Sequence, residues 1–454
     1  MYVFNTIDVR NASDVQAAFA FAKETGVKLS IKNSGHDYKG RSSGRNTLGL
    51  WVHNLKSVSH DAQFVPENCD AETTFNAVTT GTGTPWADVY DFADENNITV
   101  IGGYHQTIAA GGGWFMGGGH SVLSQVYGLG VDRVLQVKIV TPDGKVRVVN
   151  ECQDSDLFWA LRGGGGSTFG VVLDVTYKAE SQLTLQVASL AFNATTDNLP
   201  EFYSTLVNNS LQWGNEGWGG HVSSTTMIYV NPLLSLSEAQ VSMKPMPDWI
   251  TSQNGSVLIE TLPSWNTFLQ GFFADMCSSF SKPIGFPLIL TTRLIPKSLF
   301  TTDEGRAALL NVLVSLLPFS LPYIPVVPPI LFNVTEGSTS VTPAWRDSLW
   351  HFGTHGVWHF NSTVLDIEEQ YAIVHNFTET LRSIAPDSGA YFNEGDVYEF
   401  DHENSYWGPN YPRLLEIKEK YDPFHLLDCW QCVGWEGPAN ERYYACYLSE
   451  PSTT

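Results

Sequence analysis

Between Gly102 and Ser121 the chain reads Gly-Gly-Tyr-His-Gln-Thr-Ile-Ala-Ala-Gly-Gly-Gly-Trp-Phe-Met-Gly-Gly-Gly-His-Ser, glycine runs interleaved with large aromatic and apolar side chains. Holding that much glycine in regular structure costs about 0.5–1 kcal/mol per residue relative to alanine. Close approach of the backbone to a large flat ligand would offset the cost. A flexible linker is the plainer alternative, but linkers seldom carry Tyr104, Ile108, Trp114, Phe115 and Met116 among their glycines. The stretch therefore predicts a ligand-lining segment.

A second glycine-bearing loop precedes it. An apolar alternation ending at Leu29 and Ile31 breaks at Asn33, Ser34 and Gly35, which predicts a strand running into a loop centred on His36. Gly35, Gly40 and Gly44 permit positive φ, successive main-chain N–H groups can face an anion, and Lys39, Arg41, Ser42 and Ser43 add donors suited to phosphate oxygens. From this stretch alone, a surface loop with an incidental histidine is the competing reading.

Around these loops the pattern predicts a helix over 12–26 with Ser13 as N-cap and Gly26 as its stop, and a strand over 47–52. A helix over 86–95 is opened by Thr84 and Pro85, and a hairpin over 134–149 turns at Pro142-Asp143-Gly144. A helix over 156–162 is followed by Gly163 to Gly170 and then by a strand over 171–177. A Rossmann turn runs strand, glycines, helix, so this reversed order argues against a nicotinamide dinucleotide fold.

From about 180 to 375 glycine thins out. Strand-like stretches at 186–192 and 225–230 and a helix over 303–317 predict an inserted domain with its own antiparallel sheet. A helix over 366–384 ends at Pro386, Tyr391 to Glu394 reads as a short extended run, and a last helix covers 413–420.

The chain has 454 residues and a formal net charge of −22, which disfavours nucleic acid and anionic membrane surfaces as partners. The apolar stretch 309–332 is interrupted by Pro318, Pro322, Pro325, Pro328 and Pro329, which excludes an unbroken spanning helix and predicts a loop or wall of the inserted domain. Cys69, Cys152, Cys277, Cys429, Cys432 and Cys446 are too few for a disulfide scaffold. The pair Cys429-Trp-Gln-Cys432 lacks a second pair or histidines at metal-ligand spacing, so a structural disulfide near the C-terminus is expected there rather than zinc, and no metal is expected. Acceptor sequons at Asn11, Asn97, Asn193, Asn208, Asn254, Asn333, Asn361 and Asn376 favour a secreted glycoprotein. The start, Met1-Tyr2-Val3-Phe4, entering a helix almost at once, shows no signal peptide, and the expectation is that one lies upstream.

Asn33 to Gly44, Gly102 to Ser121, Leu161 to Val172, Pro343-Ala-Trp-Arg, Tyr391-Phe-Asn-Glu and Trp407 to Pro423 together resemble the berberine-bridge-enzyme-like FAD-linked oxidoreductases of the vanillyl-alcohol-oxidase and p-cresol-methylhydroxylase superfamily, in their secreted fungal style. The resemblance implies an α+β fold, with a two-subdomain FAD-binding domain of the p-cresol-methylhydroxylase type and an inserted antiparallel-sheet substrate domain. The implied boundaries are an N-terminally truncated FAD-binding domain over 1–180, a substrate domain over 181–380 and a C-terminal segment over 381–454 returning to the FAD domain.

It further implies FAD tethered by an 8α-histidyl bond to His36. A second, cysteinyl tether found in many relatives would fall at His105, so a single covalent bond is expected. Ser34, Gly35, Asp37, Tyr38, Arg41, Ser42, Gly103, His105, Thr107, Gly112, Gly113, Gly118, Gly119, His120, Val172 and Asn410 are the remaining implied cofactor contacts. Tyr391 or Glu394 is the implied proton acceptor, with Glu394 replacing a tyrosine common in relatives. Ile108 occupies the family's oxygen-gate position, so oxidase and dehydrogenase both stay open.

The implied activity is oxidation of a small alcohol, carbohydrate or secondary metabolite by hydride transfer to FAD, with dioxygen as the oxidant giving hydrogen peroxide, in a monomer. A ring-closing biosynthetic enzyme and a non-catalytic secreted glycoprotein of the same fold are the alternatives.

Overall fold

The computed structural model describes residues 5–44, 46–273 and 287–438. Cys277 and Cys446 lie outside the described residues. A short strand, β1 (Asn5–Asp8), precedes the first helix, which runs Ala12–Thr25. Its cap is Asn11 rather than Ser13: the Asn11 side chain accepts from the Ser13 amide, while Asp14 reaches back to the Asn11 amide. The stop is as expected, Gly26 in the left-handed region at φ 72°.

β1, β2 (Lys28–Lys32) and β3 (Thr47–Trp51) form a parallel sheet in the order β1-β3-β2, with Leu29 opposite Leu48 and Ile31 opposite Leu50. Val15, Ala18, Phe19 and Ala22 of the helix close over it, and Val140 and Val171 of the next sheet join the same core. That next sheet is antiparallel: β4 (Val58–Phe64), β5 (Phe75–Gly81), β9 (Val171–Ser181), β7 (Val134–Val140) and β8 (Val146–Asn150) in that order, with β6 (Ile98–Val100) on β9. The 134–149 hairpin and the helix–glycine–strand order appear as the sequence predicts. A Cys69–Cys152 disulfide ties the β4–β5 connection to the end of the hairpin.

The middle of the chain builds a five-stranded antiparallel sheet in the order β13 (Ser256–Leu262), β10 (Leu185–Ala191), β12 (Thr226–Asn231), β11 (Gly219–Val222), β15 (Ile324–Val326). The helices Leu199–Asn215 and Asp303–Leu316 pack against it through Phe202, Leu206, Leu309 and Leu313. β14 (Leu288–Pro296) and β16 (Ser348–Val357) pair antiparallel beneath the helix Val364–Ile384. The apolar 309–332 stretch divides into helix, turn and buried β15, and no described helix is long and apolar enough to cross a membrane.

The C-terminal segment returns to the first half. In the helix Tyr411–Tyr421, the buried Lys418 ammonium donates to Thr168 O at 3.0 Å, Leu427 O at 3.0 Å and Asp422 Oδ2 at 2.5 Å. Asp422 also accepts from the amides of Leu426 and Leu427. One buried ion pair thus holds the glycine turn before β9 against the last described segment. Lys418→Met leaves a buried carboxylate without its cation, and a loss of about 3–5 kcal/mol in urea unfolding of the holoprotein is expected.

Candidate active site

Two loops meet where β2 ends. Asn33 donates from Nδ2 to Thr82 O at 2.7 Å, and a Cβ on Gly112 would lie 2.6 Å from the same nitrogen, so glycine is required at this contact. Gly111 faces the Thr82 backbone still more closely, at 2.4 Å from a virtual Cβ to Thr82 Cα. The main-chain amides of 34–37 and of 111–113 find no acceptor among the described residues, a Cβ on Gly113 would meet open space, and Asn33 Oδ1 is buried without a partner. Clustered unpaired amides on facing loops make a cradle for an anionic group, with glycine leaving room for the backbone to approach it.

His36 borders this cradle. Its Nε2 is 2.7 Å from Thr107 Oγ1, which is 3.0 Å from His105 Nδ1, and the two imidazoles lie 4.8 Å apart. Loss of hydration, then the neighbouring His105, lowers the His36 pKa to about 4, so its ring is neutral at neutral pH. Asp37 staples the loop by accepting from the amides of Lys39 (3.0 Å) and Ser42 (2.7 Å).

Lys39 and Arg41 turn the other way. Lys39 donates to Asp396 O, Gln431 Oε1 and the Tyr406 hydroxyl, and Arg41 donates to Trp430 O and Phe392 O with its guanidinium 3.6 Å from the Phe392 ring centre. Their hydrogen bonds to the C-terminal segment fix the loop, a use different from the phosphate contact the sequence suggests.

Tyr391 to Glu394 is a turn rather than an extended run, because the amides of Glu394 and Gly395 both bond Tyr391 O, at 3.0 and 2.8 Å. The turn touches the His36 loop directly: Asn393 donates to His36 O at 2.9 Å and accepts from the Tyr38 amide at 3.4 Å. On its other side it presents Tyr391 and Glu394 to a buried aromatic and imidazole box. His120 lies 5.2 Å from Tyr391, 5.3 Å from His351 and 6.2 Å from Trp345, centre to centre. Tyr104 lies 4.4 Å from His221 and bonds Tyr323 through their hydroxyls at 3.1 Å.

Glu394 is flanked by two histidines, with Oε1 3.4 Å from His120 Nε2 and Oε2 3.7 Å from His351 Nε2. These three side chains offer donor atoms within 4.8 Å of one another, looser than the edge of about 3.3 Å that a tetrahedral cation site with 2.0 Å bonds needs. Burial, then His120, takes His221 down to about 3, and burial, then His120 and His221, holds His351 well below the usual range. Burial, then Glu394, pushes the Tyr391 and Tyr323 phenols up, so both keep their protons at neutral pH and act as donors.

The structure therefore brings Ser34, Gly35, His36, Asp37, His105, Thr107, Gly112, Gly113, His120, Tyr391 and Glu394 around one region, whereas Gly103 packs against Trp86 and Trp114 and its carbonyl accepts from the Tyr90 hydroxyl at 2.6 Å. Ser42 serves the Asp37 staple, and Tyr38 reaches the turn through its amide. Gly118 and Gly119 adopt positive φ, 139° and 78°, and turn the chain so that His120 enters the box. Val172 belongs to the β9 core opposite Ile139, and Asn410 bonds Val341 O at 2.9 Å. Asn393, His221, Thr292, Tyr323 and His351 are absent from the sequence-derived set. His221 and His351 lie inside apolar strands, where a histidine gives no local signal.

Residues 6–150 match the family described as FAD binding domain, and residues 390–432 the family described as berberine and berberine like. An FAD-linked oxidoreductase of Pyricularia oryzae is 40% identical over 433 residues, covering 95% of this chain and 74% of the relative. A VAO-type flavoprotein of Myceliophthora thermophila C1, crystallised at pH 5.0, superposes with a TM-score of 0.80 at 27% identity over 94% of this chain and 79% of its own. A second VAO-type flavoprotein of that fungus gives 0.83 at 25% identity over 96% and 81%. The unpaired amides, the open space at Gly113 and the neutral His36 fit a flavin dinucleotide.

Gly111→Ala pushes a Cβ into the Thr82 backbone, and the expected result is a large fall in visible flavin absorbance per chain with far-ultraviolet circular dichroism unchanged. His221, neutral when folded and protonated below pH 6.5 when unfolded, makes stability fall as pH drops from 6.5 toward 3. In His221→Gln the slope of unfolding free energy over this range should decrease by about 1.4 kcal/mol per pH unit.

Proposed function

The chain belongs to the berberine-bridge-like FAD-linked oxidoreductases, and on that premise we propose that it carries FAD on His36 through an 8α-histidyl bond and oxidises a hydroxyl-bearing small molecule. The observation that carries this reading is the neutral His36 imidazole beside unpaired loop amides, joined through Asn393 to the turn that bears Glu394. A neutral ring nitrogen is the nucleophile that an 8α link requires. His105 stands where a cysteinyl tether would fall, so the single link follows. When bound, FAD supplies the hydride acceptor at N5, and dioxygen is the proposed final oxidant with release of hydrogen peroxide.

The chain's own part is positioning and proton transfer. Tyr391, Tyr104 and Tyr323, protonated or hydroxyl-bonded, orient the substrate hydroxyl, and Trp345 walls the box. Glu394 is the buried carboxylate on which removal of the substrate proton depends, with Tyr391 as donor rather than base. The proposed division places the FAD-binding domain at 1–180 and 381–454 and the substrate domain at 181–380, so that the box forms between them. All eight sequon asparagines are exposed, which supports secretion as an N-glycosylated protein; a monomer is proposed.

His36→Ala should release its flavin on acid precipitation, whereas the unmodified chain keeps its yellow colour in the pellet and shows a flavin mass on the tryptic peptide bearing His36. Glu394→Gln should slow anaerobic flavin reduction by the fastest member of a panel of xylobiose, sorbitol and benzyl alcohol by about 100-fold or more. A colourless acid pellet from the unmodified chain, or a panel that never reduces the flavin, counts against the proposal.

A further inference from the structure

The hydrogen bonds around Glu394 assign protons to both neighbouring histidines. Thr292 donates its hydroxyl proton to the Glu394 backbone carbonyl at 2.9 Å, so Thr292 Oγ1, 2.6 Å from His351 Nε2, accepts from that nitrogen. His351 therefore carries its proton on Nε2, which also faces Glu394 Oε2 at 3.7 Å. On the opposite side His120 Nε2 faces Oε1 at 3.4 Å, the geometry of an N–H directed at a carboxylate. Both rings then hold a bare Nδ1, and both Nδ1 atoms are buried without a partner.

A buried lone pair with no donor is costly, roughly 1–3 kcal/mol, unless something occupies it during the working cycle. The two bare nitrogens differ in setting. His351 is wholly buried in β16 and locked by Thr292. His120 ends the glycine-rich segment and faces Tyr391 and Tyr104, and Tyr104 is the immediate chain neighbour of the His105 that shares Thr107 with His36. Of the two, only His120 belongs to the glycine-rich segment that also supplies amides 111–113 of the cradle.

We propose that His120 Nδ1 is the atom that takes the substrate's proton. Glu394 behind it holds the tautomer and balances the imidazolium, and His351 with Thr292 positions the Glu394 carboxylate. This rests on the oxidoreductase reading above and names the proton path within the same site. In the balanced step the substrate O–H bond breaks and its proton passes to His120 Nδ1. The carbinol hydrogen would leave with its bonding electron pair as hydride, for which bound oxidised FAD would be the acceptor, and the O–H bonding pair would become the second bond of the carbonyl. A carboxylate that orients an imidazole and stabilises its cation is an established way to make a histidine an effective base. The Thr292-bound proton on His351 Nε2 also keeps that nitrogen from serving a cation together with Glu394.

The test uses flavin-loaded protein labelled with 15N-histidine, with visible absorbance reporting the flavin load separately. The expected result is a pyridine-type Nδ1 on His120 with Nε2 protonated, and an Nε2–H resonance that moves in Glu394→Gln at unchanged flavin load. Thr292→Val is the second variant if Glu394→Gln does not fold. It should move the His351 resonances and shift the acid limb of the flavin-reduction pH profile while leaving the flavin load unchanged. His120→Asn, which keeps a donor toward Glu394 but no base, should slow anaerobic reduction by the fastest panel alcohol about 100-fold or more at full flavin load.

A protonated Nδ1 on His120, an Nε2–H resonance indifferent to Glu394→Gln, or stoichiometric zinc whose chelation shifts the His120 and His351 signals would overturn the assignment. Absence of flavin would instead overturn the reading on which it rests.

Discussion

Two buried cations in the His36 loop dictate how the chain must close. Lys39 and Arg41 are almost wholly inaccessible, and a buried ammonium or guanidinium needs a full set of acceptors in a low-dielectric interior. Asp396 O, Tyr406, Gln431, Trp430 O and Phe392 O, which accept from them, all belong to the C-terminal segment. The loop thus reaches its conformation only once residues more than three hundred positions away have returned to it. Asn393 belongs to the same closure, since it fixes both the His36 carbonyl and the turn that bears Glu394. Cradle and box are consequently tied to the same C-terminal segment, with the Lys418–Asp422 pair securing the glycine turn on the other side.

What the sequence revealed followed the range of the forces involved. The Gly26 stop, the turn at Pro142-Asp143-Gly144 and the glycine approach at Gly111–Gly112 depend on local backbone chemistry, and each is readable from a few adjacent residues. The Asn11 cap was displaced by two positions because asparagine and serine compete for the same role, and only the geometry shows Ser13 as donor and Asn11 as acceptor. The Tyr391 to Glu394 stretch looks extended in sequence because its aromatic pair mimics a strand, whereas the two amides converging on Tyr391 O make it a turn. Lys39 and Arg41 look like phosphate ligands in a glycine loop until their distant carbonyl acceptors are known. His221 and His351 could not be seen at all, since their meaning comes from β11 and β16 being brought to one place.

The same distinction separates the two halves of the site. The cradle depends on main-chain amides and on the absence of side chains, so glycine marks it in the sequence. The box depends on side chains drawn from the glycine-rich segment, β11, β14, β16 and the turn after the long helix Val364–Ile384, and no single motif marks it. Its character is set by neutral His221 and His351 and protonated Tyr391 and Tyr323 around one carboxylate, with burial the first cause in each case.

Cys429 and Cys432 are joined, and the two residues between them are those whose oxygens hold Arg41 and Lys39. Gln431 takes a left-handed backbone at φ 50°, a conformation that an unrestrained glutamine seldom visits. The small covalent ring therefore acts as a splint: it presents a carbonyl and an amide oxygen in advance, in the one arrangement that the buried cations can use. Sulfur chemistry at the tail of the protein is in this way mechanically continuous with the histidine near its head.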